Sequence, residues 1–126
     1  MGPCARPGAL VVAAYVPETA DLIWLDFTPQ SGREQAGRRP GLVLSPSSYN
    51  RKSGLALVCP VTSHAKGYPF EVALPSDGQI VGAVLTDHLR SVDWTARNAK
   101  RAGKAPPEIM RDVRERLGLL LGLAAQ

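Results

Sequence analysis

Arg39 and Thr62 are the residues whose types and positions most clearly suggest chemistry. Arg39 ends a polar, glycine-bearing stretch that leads into the apolar run 42–44, and Thr62 closes the apolar run 55–61. Both side chains therefore lie at the ends of predicted strands, which hold a side chain more firmly than a loop does. A guanidinium is permanently charged and can bind two phosphate oxygens, and a hydroxyl adds a donor or an acceptor. The pair predicts a site that handles phosphate.

Short strands must position these side chains. The segment 21–27 is rich in aromatic and β-branched residues and is typical of a strand. Alternating or continuous apolar residues predict further strands over residues 40–45, 55–62, 70–74, 79–85 and 91–96. The eleven residues 28–38 are polar and predict a loop of unusual length, and such loops tend to be functional.

Helices are predicted at two places. Ser45 as cap and Pro46 at the first position favour a short helix. A longer helix opens at the segment Pro106-Pro107-Glu108 and ends before Gly122, because its apolar residues follow helical spacing. Many short strands with a terminal helix predict a mainly β, α+β fold: a small, strongly curled antiparallel sheet or barrel with a C-terminal helix.

Length and composition limit the possible classes. The 126 residues fit one domain, which we place at residues 15–126, with residues 1–14 as an N-terminal tail or extension. Cys4 and Cys59 do not suggest a disulfide framework, which favours a cytoplasmic location. The net charge of +4 permits an anionic partner. No apolar run approaches the roughly 20 residues of a membrane span, so we expect no membrane association.

Several common chemistries lack their motifs. The chain has no Gly-x-x-x-x-Gly-Lys-[Ser/Thr] loop, no Gly-x-Gly-x-x-Gly segment after a strand and no Gly-x-Ser-x-Gly elbow. His64 and His88 have no companion at metal-ligand spacing. Cys59 is expected to be an inert buried thiol. We therefore expect no metal and no cofactor.

The order of several motifs resembles the MazF (PemK-like) toxin family over almost the whole chain, from about Tyr15 to Gly122. The motifs that carry the resemblance are DLIWLDF (21–27), EQAGRRPGLVLSP (34–46), YN (49–50), PVTS (60–63), KGYPFEV (66–72) and DHLRSV (87–92). Each motif is weak alone, but their order and spacing together are specific.

The resemblance implies an SH3-like β-barrel, a homodimer and a metal-independent endoribonuclease of a type II toxin–antitoxin system. Such toxins are sequence-specific: they cut single-stranded RNA, often messenger RNA, at short sequences. A cognate antitoxin with an acidic C-terminal segment neutralises them. The family's key arginine and threonine fall on Arg39 and Thr62. Some relatives carry histidine where this chain has Arg38, so a histidine proton shuttle is not implied at that position.

The expected reaction is attack by the RNA 2′-hydroxyl on the adjacent phosphorus, which leaves a 2′,3′-cyclic phosphate and a 5′-hydroxyl. We expect Arg39 to stabilise the charged transition state and Thr62 to fix the phosphate. The general base is open between Glu34, which is equally explained by a loop salt bridge, and His64, which follows Thr62 by two residues.

Polar, cationic and aromatic side chains are the candidate RNA contacts, because single strands are recognised by stacking and by base-edge hydrogen bonds. A buried aromatic remains the alternative for Tyr68. The candidates are Gln30, Gln35, Arg38, Asn50, Lys66 and Tyr68.

Two other functions remain open from the sequence. A non-catalytic SH3-like module could bind nucleic acid or protein, since such barrels host many functions. The second open function is that of a gyrase-inhibiting toxin of related fold. The Arg39–Thr62 pair favours the nuclease, because a binding module has no need of two groups converging on one phosphate.

Overall fold

The computed structural model describes residues 15–27 and 37–123. These ranges contain seven strands, two α-helices and one 3-10 turn. In chain order they are β1 (Asp21–Phe27), β2 (Gly37–Val43), α1 (Ser47–Ser53), β3 (Leu55–Thr62), β4 (Glu71–Ala73), β5 (Ala83–Leu85), the 3-10 turn (Thr86–His88), β6 (Arg90–Asp93), β7 (Lys100–Lys104) and α2 (Pro107–Leu120).

Every strand pairing among these elements is antiparallel. The strands follow the order β4-β5-β3-β2-β1-β7, and β6 also pairs with β3. The prediction of a mainly antiparallel β fold with helices is confirmed. Because the pairing path is open between β4 and β7, closure into a barrel stays a prediction.

The strand bounds differ from the sequence expectation where local patterns are weak. β1 and β3 have the predicted bounds, but β2 begins at Gly37, three residues before the predicted start at Pro40. Arg39 therefore lies inside β2, where it pairs with Leu25 of β1. β7 was not predicted from the sequence, because its segment Lys-Arg-Ala-Gly-Lys has no apolar alternation.

Two apolar clusters occupy opposite faces of the sheet. Ile23, Leu25 and Val43 belong to one cluster, which also takes in Trp94 from the turn after β6. The alternate residues of β1 and β2, among them Leu22 and Leu42, pack with the buried side of α2 in the other cluster. The core thus fixes which residues of β1 and β2 can reach solvent at the strand ends.

The helix α2 begins within the predicted segment 106–108 and ends before Gly122, as expected. Pro107 is its first residue, and Gly122 beyond its end has φ +72°, a conformation that favours glycine. Its buried residues follow helical spacing and include Ile109, Val113 and Leu117. No helix within residues 15–27 and 37–123 is long and apolar enough to span a membrane.

Candidate active site

The register of β2 against β3 brings Arg39 and Thr62 together. The last recorded pair of this ladder is Gly41 with Pro60. Two residues further along each antiparallel strand, the same register sets Arg39 opposite Thr62. Both residues line one open cleft of about 630 Å³, so the phosphate-handling pair predicted from the sequence is assembled by strand pairing.

Some residues that line this first cleft were not predicted from the sequence. Trp24 of β1 and residues 79–81, which precede β5, line it beside Arg39 and Thr62. Trp24 pairs with Pro40 across the β1–β2 ladder, which places its indole next to the arginine strand. Alternation along β1 could have signalled Trp24, but no local pattern predicts that residues 79–81 approach β3.

The Thr62 hydroxyl is held by the chain that follows it. The backbone N–H of His64 donates to Thr62 Oγ1 at 3.0 Å. This bond uses the oxygen as an acceptor, so the hydroxyl proton can be donated to a bound group. β3 ends at Thr62, so His64 lies in the loop that follows this strand. It nevertheless lines the first cleft, and its Nδ1 lies 3.3 Å from Ser63 Oγ.

A second cleft of about 400 Å³ shares Thr62 and His64 with the first. The predicted RNA contacts Lys66 and Tyr68 line it, together with Phe70 and His88. Tyr68 is 57% exposed and Phe70 is 38% exposed, so both rings reach solvent. The alternative of a buried Tyr68 is therefore wrong, and an aromatic surface continues directly from Thr62.

The loop that carries Lys66 and Tyr68 is anchored at several points. The carboxylate of Glu71 accepts hydrogen bonds from the N–H groups of Lys66, at 3.0 Å, and Gly67, at 2.8 Å. Thr86 Oγ1 donates to the carbonyl of Phe70 at 2.6 Å. Arg116 of α2 donates to the carbonyl of Pro69 at 2.9 Å. These bonds tie the second cleft to β4, the 3-10 turn and α2, so its wall is preformed.

Arg38 also lines the first cleft, but its guanidinium is bonded to protein. It forms an ion pair with Asp26 and donates to the carbonyls of Trp24, at 3.2 Å, and Asn98, at 2.7 Å. The hydrogen bond from Asn98 and the ion pair with Arg38 lower the pKa of the Asp26 carboxyl. The carboxylate therefore stays charged and available to Arg38 near neutral pH.

Asn50 does not belong to either cleft. Its side chain is fully buried, and its Nδ2 donates to the carbonyls of Pro17, at 2.8 Å, and Ser45, at 3.0 Å. Ser45 Oγ donates to Asn50 Oδ1 at 2.6 Å, and Pro46 rather than Ser45 is the N-cap of α1. The prediction of an RNA contact at Asn50 is incompatible with this burial, and its amide instead joins α1 to the segment before β1.

Three predicted site residues, Glu34, Gln30 and Gln35, lie outside the described residues.

Cys59 is fully buried, and burial raises the pKa of its thiol to about 12, in agreement with an inert residue. Within the described parts of the chain, no group of three or more His, Cys, Asp or Glu side chains could hold a metal ion.

Comparisons with known proteins agree on one family. The model of the PemK-like, MazF-like toxin of type II toxin–antitoxin systems matches residues 18–121. The endoribonuclease toxin MazF of Escherichia coli K12 is 46% identical over 112 residues, which are 89% of this chain and 100% of that protein. The endoribonuclease PemK of Escherichia coli is 39% identical over 104 residues, 79% of this chain and 78% of PemK.

A solved structure of similar fold is the MazE–MazF complex (Form-II) from Deinococcus radiodurans. It is 55% identical, covers 88% of this chain and 100% of the matched chain, and has a TM-score of 0.84. An endoribonuclease in complex with its cognate antitoxin from Mycobacterial species shares the fold at 21% identity, with a TM-score of 0.72. The chain belongs to the PemK-like, MazF-like family of type II toxin–antitoxin toxins.

Proposed function

We propose that this chain is a toxin endoribonuclease that cleaves single-stranded RNA, including messenger RNA, without a metal ion, and so arrests translation and growth. The observation that carries the proposal is the convergence of Arg39 and Thr62 on one cleft at the end of the β2–β3 ladder. The naming of similar proteins as endoribonucleases supports the same activity.

The reaction uses the substrate's own nucleophile. The 2′-oxygen forms a bond to phosphorus, the bond from phosphorus to the 5′-oxygen breaks, and the products end in a 2′,3′-cyclic phosphate and a 5′-hydroxyl. A base takes the 2′-hydroxyl proton, and an acid supplies a proton to the departing 5′-oxygen. Because no water needs activation, the reaction does not require a metal ion.

Arg39 and Thr62 act on the phosphate group. The planar guanidinium of Arg39 can donate to two non-bridging oxygens and offset the charge that grows in the transition state. The oxygen of the Thr62 hydroxyl accepts a hydrogen bond from the His64 N–H. Its own proton can therefore be donated to the same phosphate group. Both side chains come from paired strands, and such fixed donors need little reorganisation during the reaction.

The proton-transfer groups are proposed from two candidates. His64 lines both clefts next to Thr62. Glu34 precedes Arg39 by five residues in the sequence and is the other candidate. Position 38 is arginine in this chain, so it does not supply a histidine for proton transfer.

The second cleft is the proposed path for the bases next to the cut. Tyr68 offers an exposed ring for stacking, and Lys66 places a cation on the same wall. Gln30 and Gln35 are proposed to read base edges from the segment before Arg39.

The proposed partners are RNA, a cognate antitoxin and a second copy of this chain, in the cytoplasm. The net charge of +4 suits an antitoxin with an acidic C-terminal segment, and similar structures include a MazE–MazF complex. Exposed leucines at the end of α2 and just beyond it, Leu119, Leu120 and Leu121, offer an apolar surface for a homodimer.

We also propose that the sheet curls into the SH3-like barrel, since β3 pairs with β2, β5 and β6.

The test is cleavage of one long single-stranded RNA in EDTA. We expect defined cuts, 5′-hydroxyl ends that polynucleotide kinase labels without prior phosphatase treatment, and no cut where the nucleotide before the scissile phosphate is 2′-deoxy. Cleavage of that 2′-deoxy substrate would exclude 2′-hydroxyl attack. A gel shift without cleavage would favour a binding module, and loss of DNA supercoiling by gyrase would favour a gyrase inhibitor.

A further inference from the structure

The ends of β1 and β2 are joined by a cluster of three side chains, Asp26, Arg38 and Asn98. Asp26 and Arg38 are direct partners across the β1–β2 ladder, and among the described residues only the pair Phe27–Gly37 lies beyond them. Arg38 donates through Nη1 to Asp26 Oδ1 and through Nη2 to the Asn98 carbonyl at 2.7 Å. The side-chain amide of Asn98 donates to the other oxygen, Asp26 Oδ2, at 2.8 Å.

Backbone bonds extend this cluster to the turn between β6 and β7. The N–H of Asp26 donates to the carbonyl of Arg97 at 2.9 Å, and Arg97 Nη1 donates to the carbonyl of Asp26 at 3.2 Å. Asn98 itself has φ +53°, a left-handed conformation that asparagine tolerates better than most residues. The turn is therefore shaped to present both its carbonyl and its amide to the end of the sheet.

These contacts leave Arg38 poorly suited to grip RNA. Its charge is paired with Asp26, and both terminal nitrogens already donate to protein oxygens. A phosphate could take the donor that Asp26 holds only if that ion pair were broken, which would leave the carboxylate next to the phosphate. The remaining N–H groups of Arg38 belong to a guanidinium whose charge Asp26 already offsets. The neighbouring residue in β2 is Arg39, whose backbone is set by the same ladder through its pairing with Leu25.

We propose that Arg38, Asp26 and Asn98 are positioning residues that hold the end of β2 and thereby place Arg39 against the scissile phosphate. This inference rests on the proposed nuclease function. It assigns Arg38 to the support of Arg39 instead of to direct RNA contact. A small displacement of a transition-state donor lowers the chemical rate far more than it lowers binding.

The test separates rate from affinity in four variants: Arg38→Met, Arg38→Lys, Asp26→Asn and Asn98→Gly. The last variant keeps the left-handed backbone and the carbonyl that accepts from Arg38, and it removes only the amide bond to Asp26. Single-turnover cleavage gives the rate, and binding of an RNA with a 2′-deoxy nucleotide at the mapped cut site gives the affinity. Arg111→Met, which changes an exposed arginine of α2, is the charge control.

We expect Arg38→Met and Asp26→Asn each to lower the single-turnover rate about tenfold to a hundredfold, with affinity within about twofold of wild type. A double variant that combines Arg38→Met with Asp26→Asn should be no slower than the slower single variant, because the two residues act as a unit. Arg38→Lys should not restore the rate, since an ammonium cannot reproduce the fork of bonds to Asp26 and two carbonyls. Asn98→Gly should show a smaller loss of rate, and Arg111→Met should match wild type.

Direct RNA contact by Arg38 predicts the opposite pattern. Arg38→Met would then weaken affinity and reduce the salt dependence of binding by about one ion, Arg38→Lys would bind well, and Asp26→Asn would tighten binding by releasing the cation. That pattern, or rates equal to wild type in folded Arg38→Met and Asp26→Asn, overturns the inference. A wild-type protein that does not cleave RNA at all would overturn the proposed function itself.

Discussion

Gly82 approaches the backbone of Thr62 so closely that a β-carbon at position 82 would lie 2.1 Å from the Thr62 carbonyl oxygen. Gly82 has φ +132°, which side-chain-bearing residues rarely adopt. The contact occurs next to the β3–β5 pair Thr62–Ala83. The position of the Thr62 hydroxyl therefore depends on a residue that is distant in sequence and has no functional group.

Substitution of Gly82 by alanine should disturb both folding and activity. The new methyl group must displace the end of β3, so we expect a loss of roughly 1–3 kcal/mol in unfolding free energy and at least a tenfold lower cleavage rate in the folded fraction. Urea unfolding and single-turnover cleavage measure the two effects. Gly103→Ala is the matched control, because a β-carbon there meets nothing within 4 Å; equal behaviour of the two variants would contradict the close-approach argument.

Loss of the proposed phosphate-binding pair, Arg39 and Thr62, should affect the chemical step. We expect Arg39→Ala to lower kcat by about 10²–10³, as removal of one preorganised donor does. Thr62→Val, which keeps the shape of the side chain without its hydroxyl, should also lower kcat. If both residues act on one phosphate, the double variant should lose less than the product of the single effects. Arg39→Ala with wild-type kcat would remove Arg39 from the mechanism.

Tyr68 should contribute to RNA binding through its ring. Because base–aromatic stacking is worth about 1–3 kcal/mol per base, Tyr68→Ala should weaken the binding of a 2′-deoxy-protected RNA by that amount, and Tyr68→Phe should retain affinity. Fluorescence anisotropy gives both dissociation constants. Tyr49→Ala is the control, since Tyr49 is 42% exposed on α1 and lines neither cleft. An equal effect at Tyr49 and Tyr68 would argue against a stacking site.

Asn50 should act in stability and not in RNA binding. Asn50→Ala leaves the carbonyls of Pro17 and Ser45 without their donors, so we expect a loss of roughly 1–3 kcal/mol in unfolding free energy. RNA affinity per folded molecule should not change. Ser48→Ala, an exposed position of the same helix, should leave stability near that of wild type. A stable Asn50→Ala variant with weakened RNA binding would reverse the assignment made from burial.

Stability should fall in acid through Asp21. Burial by itself would raise the pKa of this carboxyl, but hydrogen bonds from Tyr15, the Glu18 N–H and Lys104 outweigh burial and lower it. A lowered folded-state pKa gives stability that is present above the ordinary value of about 3.9 and is lost as pH falls through the folded-state pKa. We expect unfolding free energy to decline below about pH 4–5 and to decline less steeply in Asp21→Asn.

The control for this pH dependence is Asp77→Asn, an exposed position in the turn between β4 and β5. Unfolding by urea at several pH values from 7 to 3 compares the three proteins. Asp77→Asn should follow the wild-type curve. An Asp21→Asn curve parallel to wild type would show that Asp21 does not carry the acid response.

Local sequence patterns were sufficient for the elements with strong periodicity. β1, β3 and α2 could be predicted because apolar alternation or helical spacing, with Pro107 and Gly122 at the ends of α2, is visible among near neighbours in the chain. The pair Arg39 and Thr62 could also be selected, because each side chain lies beside an apolar run that predicts a strand.

The sequence by itself thus determined the main elements, the family resemblance and the two phosphate-binding candidates. Only the tertiary structure decided that Asn50 is buried, that Arg38 is bonded to Asp26, and that Gly82 touches Thr62. These relationships join residues that lie 12 or more positions apart or depend on burial by distant segments. Strand register and packing of the whole chain set them, and no local pattern of residue types encodes that information.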